Sequence, residues 1–221
     1  MSLAASSNPV VASLAGGRDT ALADAGAYFV AVTPTPGTGI IGTASVQLFT
    51  ETTPVFVLYN SGLLNIYPMQ LRMHATVVGV TAPTIAVMYT NTLDTGNRLS
   101  SGGTALVKSN TNMNSALTSA AQITVGAVTA TAASASRRIV GHFATQAANV
   151  EALHSVVTCS WGDSSPTLFS NLIDNAATLA HHAVNFAPVV VGPGQSMVFV
   201  RWSPAITTAP TLEYEFSYVE K

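Results

Sequence analysis

Charged side chains are scarce in this sequence. Lys, Arg, Asp and Glu make up 8% of its 221 residues, whereas ordinary soluble domains carry about 25%. A folded monomer of 22.7 kDa exposes on the order of 9,500 Å², or roughly one of these charges per 500 Å². Because charge keeps a free surface soluble and monomeric, we expect other subunits to cover much of this surface. The alternative is a free surface coated with Thr, Ser, Asn and Ala.

Basic clusters are also missing. The net charge is −2, and Arg137 and Arg138 are the only adjacent pair among the eight Lys and Arg residues. Nucleic-acid binding needs a concentrated basic face to neutralise phosphates. The sequence therefore predicts no nucleic-acid partner.

Cysteine is almost absent, since Cys159 is the only one. A single cysteine excludes an internal disulfide and a zinc site with several cysteine ligands. Residues 1–9 lack the basic and apolar regions of a signal peptide. The longest apolar, charge-free stretch, residues 73–93, is interrupted by Thr, Gly and Pro, so we expect two strands and a turn there and no membrane span.

What is present has the pattern of a β protein. Short apolar or alternating runs recur between turns rich in Gly, Pro and Asn. They predict strands at residues 28–32, 40–49, 54–59, 67–80, 84–89, 123–131, 139–143, 153–158, 196–202 and 211–218. This pattern is typical of an all-β jelly roll or two-sheet β-sandwich. We expect it to span residues 26–221 as one domain, preceded by a short N-terminal arm over residues 1–25.

The C-terminal third has the clearest pattern. The segment Gly192-Pro193-Gly194-Gln195 has Pro and Gly where a type II turn needs them. From Thr211 to Tyr218 the residues alternate strictly, which predicts a half-buried strand. Its inner row would be Leu212, Tyr214, Phe216 and Tyr218, and its outer row Glu213, Glu215 and Ser217.

Two segments break this pattern. Residues Asp94 to Ser115 are rich in Gly, Ser, Thr and Asn, which predicts a long functional or interfacial loop. Residues Asn171 to His182 form the best helix candidate, about two turns long; a strong cap is missing, so a loop is the alternative.

We expect no catalytic, cofactor-binding or metal-binding residues. Glu213 and Glu215 lie on one face of a strand and are about 7 Å apart, a spacing compatible with a glycosidase pair, but an outward sheet face explains them better. The adjacent His181 and His182 point in different directions on a strand or helix. A metal site would need them to meet the other histidines, His74, His142 and His154, in the fold.

Two further candidates have simpler structural explanations. Cys159 with His154 has the residue types of a nucleophile and base, but no orienting third group is evident. We expect a buried thiol. Asp94 resembles a turn residue bonded to local backbone. Its neighbour Arg98 would pair with Asp94 or with another subunit, and the sequence leaves both options open.

Three segments together resemble a known family: Pro54 to Asn60, Asp94 to Thr104, and Ala187 to Ser196, followed by the acidic-aromatic C-terminal strand. Over residues 50–220 the chain is similar to tailed-bacteriophage capsid decoration (cement) proteins with a jelly-roll domain. This resemblance implies a homotrimer on the outer surface of the phage head, bound where major capsid subunits meet. Its function would be to stabilise the head by clamping neighbouring capsid subunits.

Two other functions share this fold. A receptor- or glycan-binding module of a phage fibre or tail would carry a solvent-facing aromatic and Asn/Asp cluster in residues 91–115. A shell-forming jelly-roll coat protein often carries a basic arm for the genome, and here the arm holds only Arg18. An enzyme would need a concave site with perturbed carboxylates or histidines.

Overall fold

The computed structural model describes residues 18–43, 46–77, 87–144, 154–162, 181–204 and 208–221. These residues form one short helix and thirteen strands, so the all-β prediction is confirmed. The elements are α1 (Arg18–Asp24), β1 (Tyr28–Val32), β2 (Ile40–Ile41), β3 (Phe56–Asn60), β4 (Ile66–Val77), β5 (Met88–Thr95), β6 (Leu99–Ala105), β7 (Val107–Asn110), β8 (Ala121–Ala130), β9 (Arg138–Ala144), β10 (Val156–Trp161), β11 (His181–Phe186), β12 (Gln195–Trp202) and β13 (Thr211–Glu220).

The strands form two sheets. The front sheet has the order β11-β10-β4-β13-β1-β7, with β2 also pairing with β13, and the back sheet has the order β6-β8-β3-β12-β5-β9. Neighbouring strands are antiparallel throughout the described residues, except for the parallel pair β10 and β11.

Eight of these strands have jelly-roll connectivity. The front sheet contains β1-β13-β4-β10 and the back sheet contains β3-β12-β5-β9. Along the chain these eight strands pass between the sheets as two interlocked Greek keys, the arrangement of a jelly roll. The segment β6–β8 is inserted between β5 and β9 and widens both sheets, and β11 widens the front sheet. The predicted fold class is therefore confirmed.

The core lies between the two sheets and is rich in aromatic side chains. The alternation predicted for β13 is confirmed, because Leu212, Tyr214, Phe216 and Tyr218 are all buried. The ring of Phe216 contacts that of Phe56 from the back sheet at a centroid distance of 5.0 Å. Edge-to-face contacts of this kind add about 0.5–1.5 kcal/mol to the stabilisation from burial.

One side of the sandwich is closed by a strand that changes sheets. Strands β6 and β7 are separated only by Leu106, which is buried and donates its backbone N–H to the carbonyl of Ile123. Along β6, Gly102 and Gly103 have φ near +73° and +72°, and the pairing with β8 shifts register there. Such bulges hinder pairing of an edge strand with other chains.

The outer face of the back sheet is also covered. The strap, which we define as residues 46–52, crosses this face, and its ends are held by hydrogen bonds from Ser203 N–H to Val46 O and from Ala130 N–H to Thr52 O. Under it, Val57, Val128, Val198 and Val200 form a second apolar cluster. Strand β12 is therefore buried on both faces.

Two predictions for the N-terminal quarter of the chain need correction. Within the predicted arm, Arg18–Asp24 is helical and ends in a Schellman motif, with Gly26 at φ +70° and Ala27 N–H bonded to Leu22 O. Residues 1–17 lie outside the described part of the chain. Of the strand predicted at residues 40–49, Ile40–Ile41 form β2; residues 42–43 lie outside any strand, and residues 46–49 belong to the strap.

The long loop predicted from Asp94 to Ser115 is wrong for most of its length. Strand β5 continues to Thr95, and β6 and β7 follow. Pairing with β8 and β1 overrides the turn-forming composition of this segment. In the predicted helix from Asn171 to His182, residues 171–180 are outside the described residues, and His181 and His182 begin strand β11.

The type II turn predicted before β12 is confirmed. Gln195 N–H donates to Gly192 O at 3.1 Å, and Gly194 has φ +73°, the positive value that the third position of this turn requires.

A buried ion pair connects the insertion to the jelly roll. Arg98 Nη1 lies 2.6 Å from Asp94 Oδ2, and the two side chains are 2% and 0% exposed. Arg98 also donates from Nε and Nη2 to Thr131 O, at 3.0 and 2.8 Å. This answers the question that the sequence left open: Arg98 pairs with Asp94 of its own chain.

The carboxylate of Asp94 is surrounded by donors. It accepts hydrogen bonds from the backbone N–H groups of Thr95 and Ser134, at 2.8 and 2.9 Å, and from the Ser134 hydroxyl. Burial favours the neutral acid, but the hydrogen bonds from Ser134, Thr95 and Arg98 outweigh it and lower the pKa of Asp94 below its ordinary value.

Replacing Arg98 with methionine should therefore destabilise the fold strongly. The change leaves Asp94 buried without its partner, which costs about 3–5 kcal/mol in the free energy of unfolding. Urea denaturation at neutral pH measures this cost. Replacing both residues (Arg98→Met with Asp94→Leu) should recover most of it. Arg72→Met, which removes a half-exposed ion pair, should cost less than about 1 kcal/mol. Equal losses for Arg98→Met and Arg72→Met would contradict this account.

Asp94 should also contribute to acid sensitivity. A carboxyl group whose pKa is lower in the folded state stabilises the fold above its unfolded pKa of about 3.9. That stabilisation disappears as the pH falls through the lowered folded-state pKa. The free energy of unfolding of Asp94→Asn should therefore vary less with pH below about pH 5 than that of the parent. Identical pH slopes would show that Asp94 is not a source of acid sensitivity.

Candidate functional site

Polar side chains line a groove on the outer face of the front sheet. Strands β4 and β13 are neighbours there, with His74 opposite Glu213 and Arg72 opposite Glu215. The groove has a volume of about 500 Å³, and Pro36 and Val156 complete its walls. The outer row predicted for β13 therefore forms the floor of a concave surface.

A carboxylate and two imidazoles form a chain in this groove. Glu213 Oε2 lies 2.9 Å from His74 Nδ1, and its Oε1 accepts a hydrogen bond from Gly37 N–H at 2.5 Å. On the other side of the ring, His74 Nε2 lies 3.4 Å from His154 Nδ1. When neutral His74 carries its hydrogen on Nδ1 and donates it to Glu213, Nε2 presents its lone pair to His154.

The backbone of His154 is held in an unusual conformation. Its φ is +69°, in the left-handed region. This region costs a non-glycine residue of order 1 kcal/mol or more. Two hydrogen bonds to β4 hold it there, from His154 N–H to Ala75 O at 2.8 Å and from Ala75 N–H to Ser155 O at 2.9 Å. The backbone of β4, which carries His74, thus also holds His154 in place.

The second carboxylate has a weaker partner. Arg72 Nη1 lies 3.3 Å from Glu215 Oε2, and both side chains are about half exposed. Exposed pairs of this kind contribute between zero and about 1 kcal/mol. Since Glu213 faces His74 and Glu215 faces Arg72 on β4, each carboxylate has its own cross-strand partner, unlike two carboxylates that share one substrate.

Among the histidines whose side chains the structure describes, which are His74, His142, His154 and His182, only His74 and His154 come together. His142 lies on the back sheet, where its Nδ1 is 3.0 Å from Thr90 Oγ1, and His182 lies on β11. Over the described ranges, no three His, Cys, Asp or Glu side chains are grouped as ligands of one metal ion.

Cys159 is buried between the sheets. It is a free cysteine on β10 and has no exposed surface. Burial disfavours the thiolate and raises the pKa of this thiol. A catalytic cysteine has the opposite property, a lowered pKa in an accessible position. The predicted buried thiol is confirmed.

Sequence reasoning did not identify the contact between His74 and His154. These residues are 80 positions apart, and they meet because β10 pairs with β4 in the register that places Val156 opposite His74. Only the long-range pairing of two strands sets this register, and neither strand carries a local signal for it.

Comparisons with protein-family models, with curated proteins and with solved structures found no match for this chain. In the part of the chain that the structure covers, no helix has the length and apolar character needed to cross a membrane.

The buried thiol gives a direct test of the core. Because Cys159 reacts only when the sandwich opens, a thiol reagent such as DTNB should label the native protein far more slowly than an exposed cysteine. The control is Ser101→Cys in a Cys159→Ala background, since Ser101 is exposed on β6. Denaturant should bring both proteins to the same fast rate. Rapid labelling of Cys159 in the native protein would contradict the burial described above.

Proposed function

We propose that this chain is a structural virion protein that decorates a phage head and stabilises it. In this proposal it acts as a homotrimer on the outer surface of the head and clamps neighbouring major capsid subunits. The jelly-roll fold supports the proposal, since viral capsid proteins use this fold often. Because unrelated functions also use it, the argument depends on the surface of the chain.

The observation that carries the proposal is the small number of charges left for that surface. Five charged side chains are buried: Glu51, Asp94, Arg98, Arg201 and Glu220. At most 13 of the 18 charged residues remain for the exterior, about one per 730 Å² of a folded monomer of this mass. A surface so poor in charge favours a permanently associated state over a free monomer.

Exposed apolar side chains support a contact at one end of the sandwich. Leu63 and Met113 are 93% and 98% exposed, and Leu64, Leu117 and Val190 are also exposed. We call the loops that carry these five residues the apolar end. They lie together because Ser61 donates to Ala120 O, because the Asn60 amide donates to both Leu64 O and Val191 O, and because the Asn110 amide donates to Leu117 O.

This geometry supports the proposed clamp. Obligate interfaces bury about 2,000 Å² or more and resemble a domain core cut in half. The corner at Leu106 and the strap over the back sheet make the sandwich rigid. The apolar end provides the surface that a capsid subunit would bury. Each copy that bridges two capsid subunits adds a contact that must break before the head can rupture.

The receptor- or glycan-binding alternative has less support. This alternative predicts a solvent-facing aromatic and Asn/Asp cluster in residues 91–115. Asn97 and Asn114 are exposed, but Asn91 and Asp94 are buried, and the segment contains no aromatic residue. The sugar-stacking surface that such a module uses is therefore missing from these loops.

Phage heads assembled with and without the chain provide the test. Heads of the phage that encodes it should rupture at a lower temperature when the chain is absent. Burying one leucine contributes about 1.5–3 kcal/mol, so Leu63→Asp should raise the concentration needed to half-saturate bare heads at least tenfold. Ser101→Asp, which adds the same charge at an exposed position on β6, should bind bare heads as the parent does.

Two results would overturn the proposal. One is equal rupture temperatures with and without the chain. The other is saturable binding that Leu63→Asp and Ser101→Asp weaken equally, because any added negative charge would then explain the loss.

A further inference from the structure

The spacing of two imidazole nitrogens in the groove matches a metal site. His74 Nε2 and His154 Nδ1 lie 3.4 Å apart, whereas a direct hydrogen bond from a nitrogen usually measures about 2.9–3.0 Å. Two nitrogens that bind the same tetrahedral Zn²⁺ at about 2.0–2.1 Å are about 3.3–3.4 Å apart. The observed distance is therefore long for a hydrogen bond and right for two ligands of one ion.

Glu213 supplies the second feature of such a site. Histidine ligands of metals commonly donate their other ring N–H to a carboxylate, which fixes the tautomer and makes the ligand nitrogen more basic. Glu213 Oε2 accepts such a hydrogen bond from His74 Nδ1, at 2.9 Å. Glu213 is held in turn by Gly37 N–H. With its hydrogen on Nδ1, His74 presents the lone pair of Nε2 toward His154, where a metal ion would lie.

His154 supplies the third feature, because its backbone is held in a strained conformation that fixes the position of the residue. Its left-handed backbone, with φ at +69°, directs the ring toward His74, and the two rings lie 5.5 Å apart with planes 18° from parallel. Strained residues concentrate at ligand-binding positions. Both hydrogen bonds that hold this segment come from or go to Ala75, the residue next to His74.

We propose that His74 Nε2 and His154 Nδ1 together bind one divalent transition-metal ion, such as Zn²⁺, with Glu213 orienting His74. Both imidazoles bind as neutral rings, so the hydrogen of His154 resides on its Nε2. Water completes the coordination. With two protein ligands in place of the three or four of catalytic and structural zinc sites, affinity is lower than at those sites. This site is independent of the proposed virion role.

Isothermal titration calorimetry of the chelator-treated full chain with ZnCl₂ tests the proposal. We expect one saturable site per chain. His74→Ala and His154→Ala should each abolish it. Glu213→Gln should weaken the affinity about 10- to 100-fold, the usual effect of losing a carboxylate behind a histidine ligand. His142→Ala is the matched control, because this histidine lies on the other sheet, and it should bind Zn²⁺ as the parent does.

Thermal unfolding provides a second readout that separates binding from folding. In metal-free buffer the two groove variants should melt near the parent temperature, because His154 is exposed and the His74 side chain is partly exposed. Added Zn²⁺ should raise the melting temperature of the parent and of His142→Ala but not of His74→Ala or His154→Ala. Absence of saturable binding, or equal binding by the parent and both groove variants, would overturn the proposal.

Discussion

Desolvation determines how this chain uses its few charges. A buried ion is tolerated only when a counter-charge and hydrogen bonds replace the water that it has lost. Asp94 and Arg98 meet this requirement at the junction between β5 and β6, where the insertion leaves the jelly roll. Glu51 of the strap pairs with Arg137 at 3.1 Å close by. The same charges that fix these long connections are thereby removed from the surface, and the exterior becomes still poorer in charge.

The small number of surface charges also bears on the architecture. A sandwich with a charge-poor exterior is exposed to unwanted pairing at its sheet edges. Here the corner at Leu106 joins the two sheets on one side, and the glycine bulges of β6 disturb the outermost strand of the back sheet. The strap covers a face that would otherwise present the valines of β12 to solvent. Exposed apolar side chains lie on loops, such as the one that carries Leu63, and also on strands, at Ile41, Val77, Val107 and Ile139.

How far the sequence predicts this structure depends on the range of the interactions. The alternation of β13 and the turn at Gly194 are local, and both were predicted correctly. Strands β6 and β7 were missed because their composition favours a loop and only pairing with β8 and β1 makes them strands. Helix α1 was missed although Gly26 is a local stop signal. Only part of the groove was predicted. The outward row of Glu213 and Glu215 followed from local alternation, but the position of His154 depends on the register in which β10 pairs with β4.

The central claim is that this chain exists packed against partners, beginning with copies of itself. Sedimentation equilibrium of the purified protein, over about a hundredfold range of concentration at physiological salt, measures this most directly. We expect a mass that is a multiple of the 22.7 kDa of one chain, three copies if the trimer is right. A mass of 22.7 kDa at every concentration would contradict self-association.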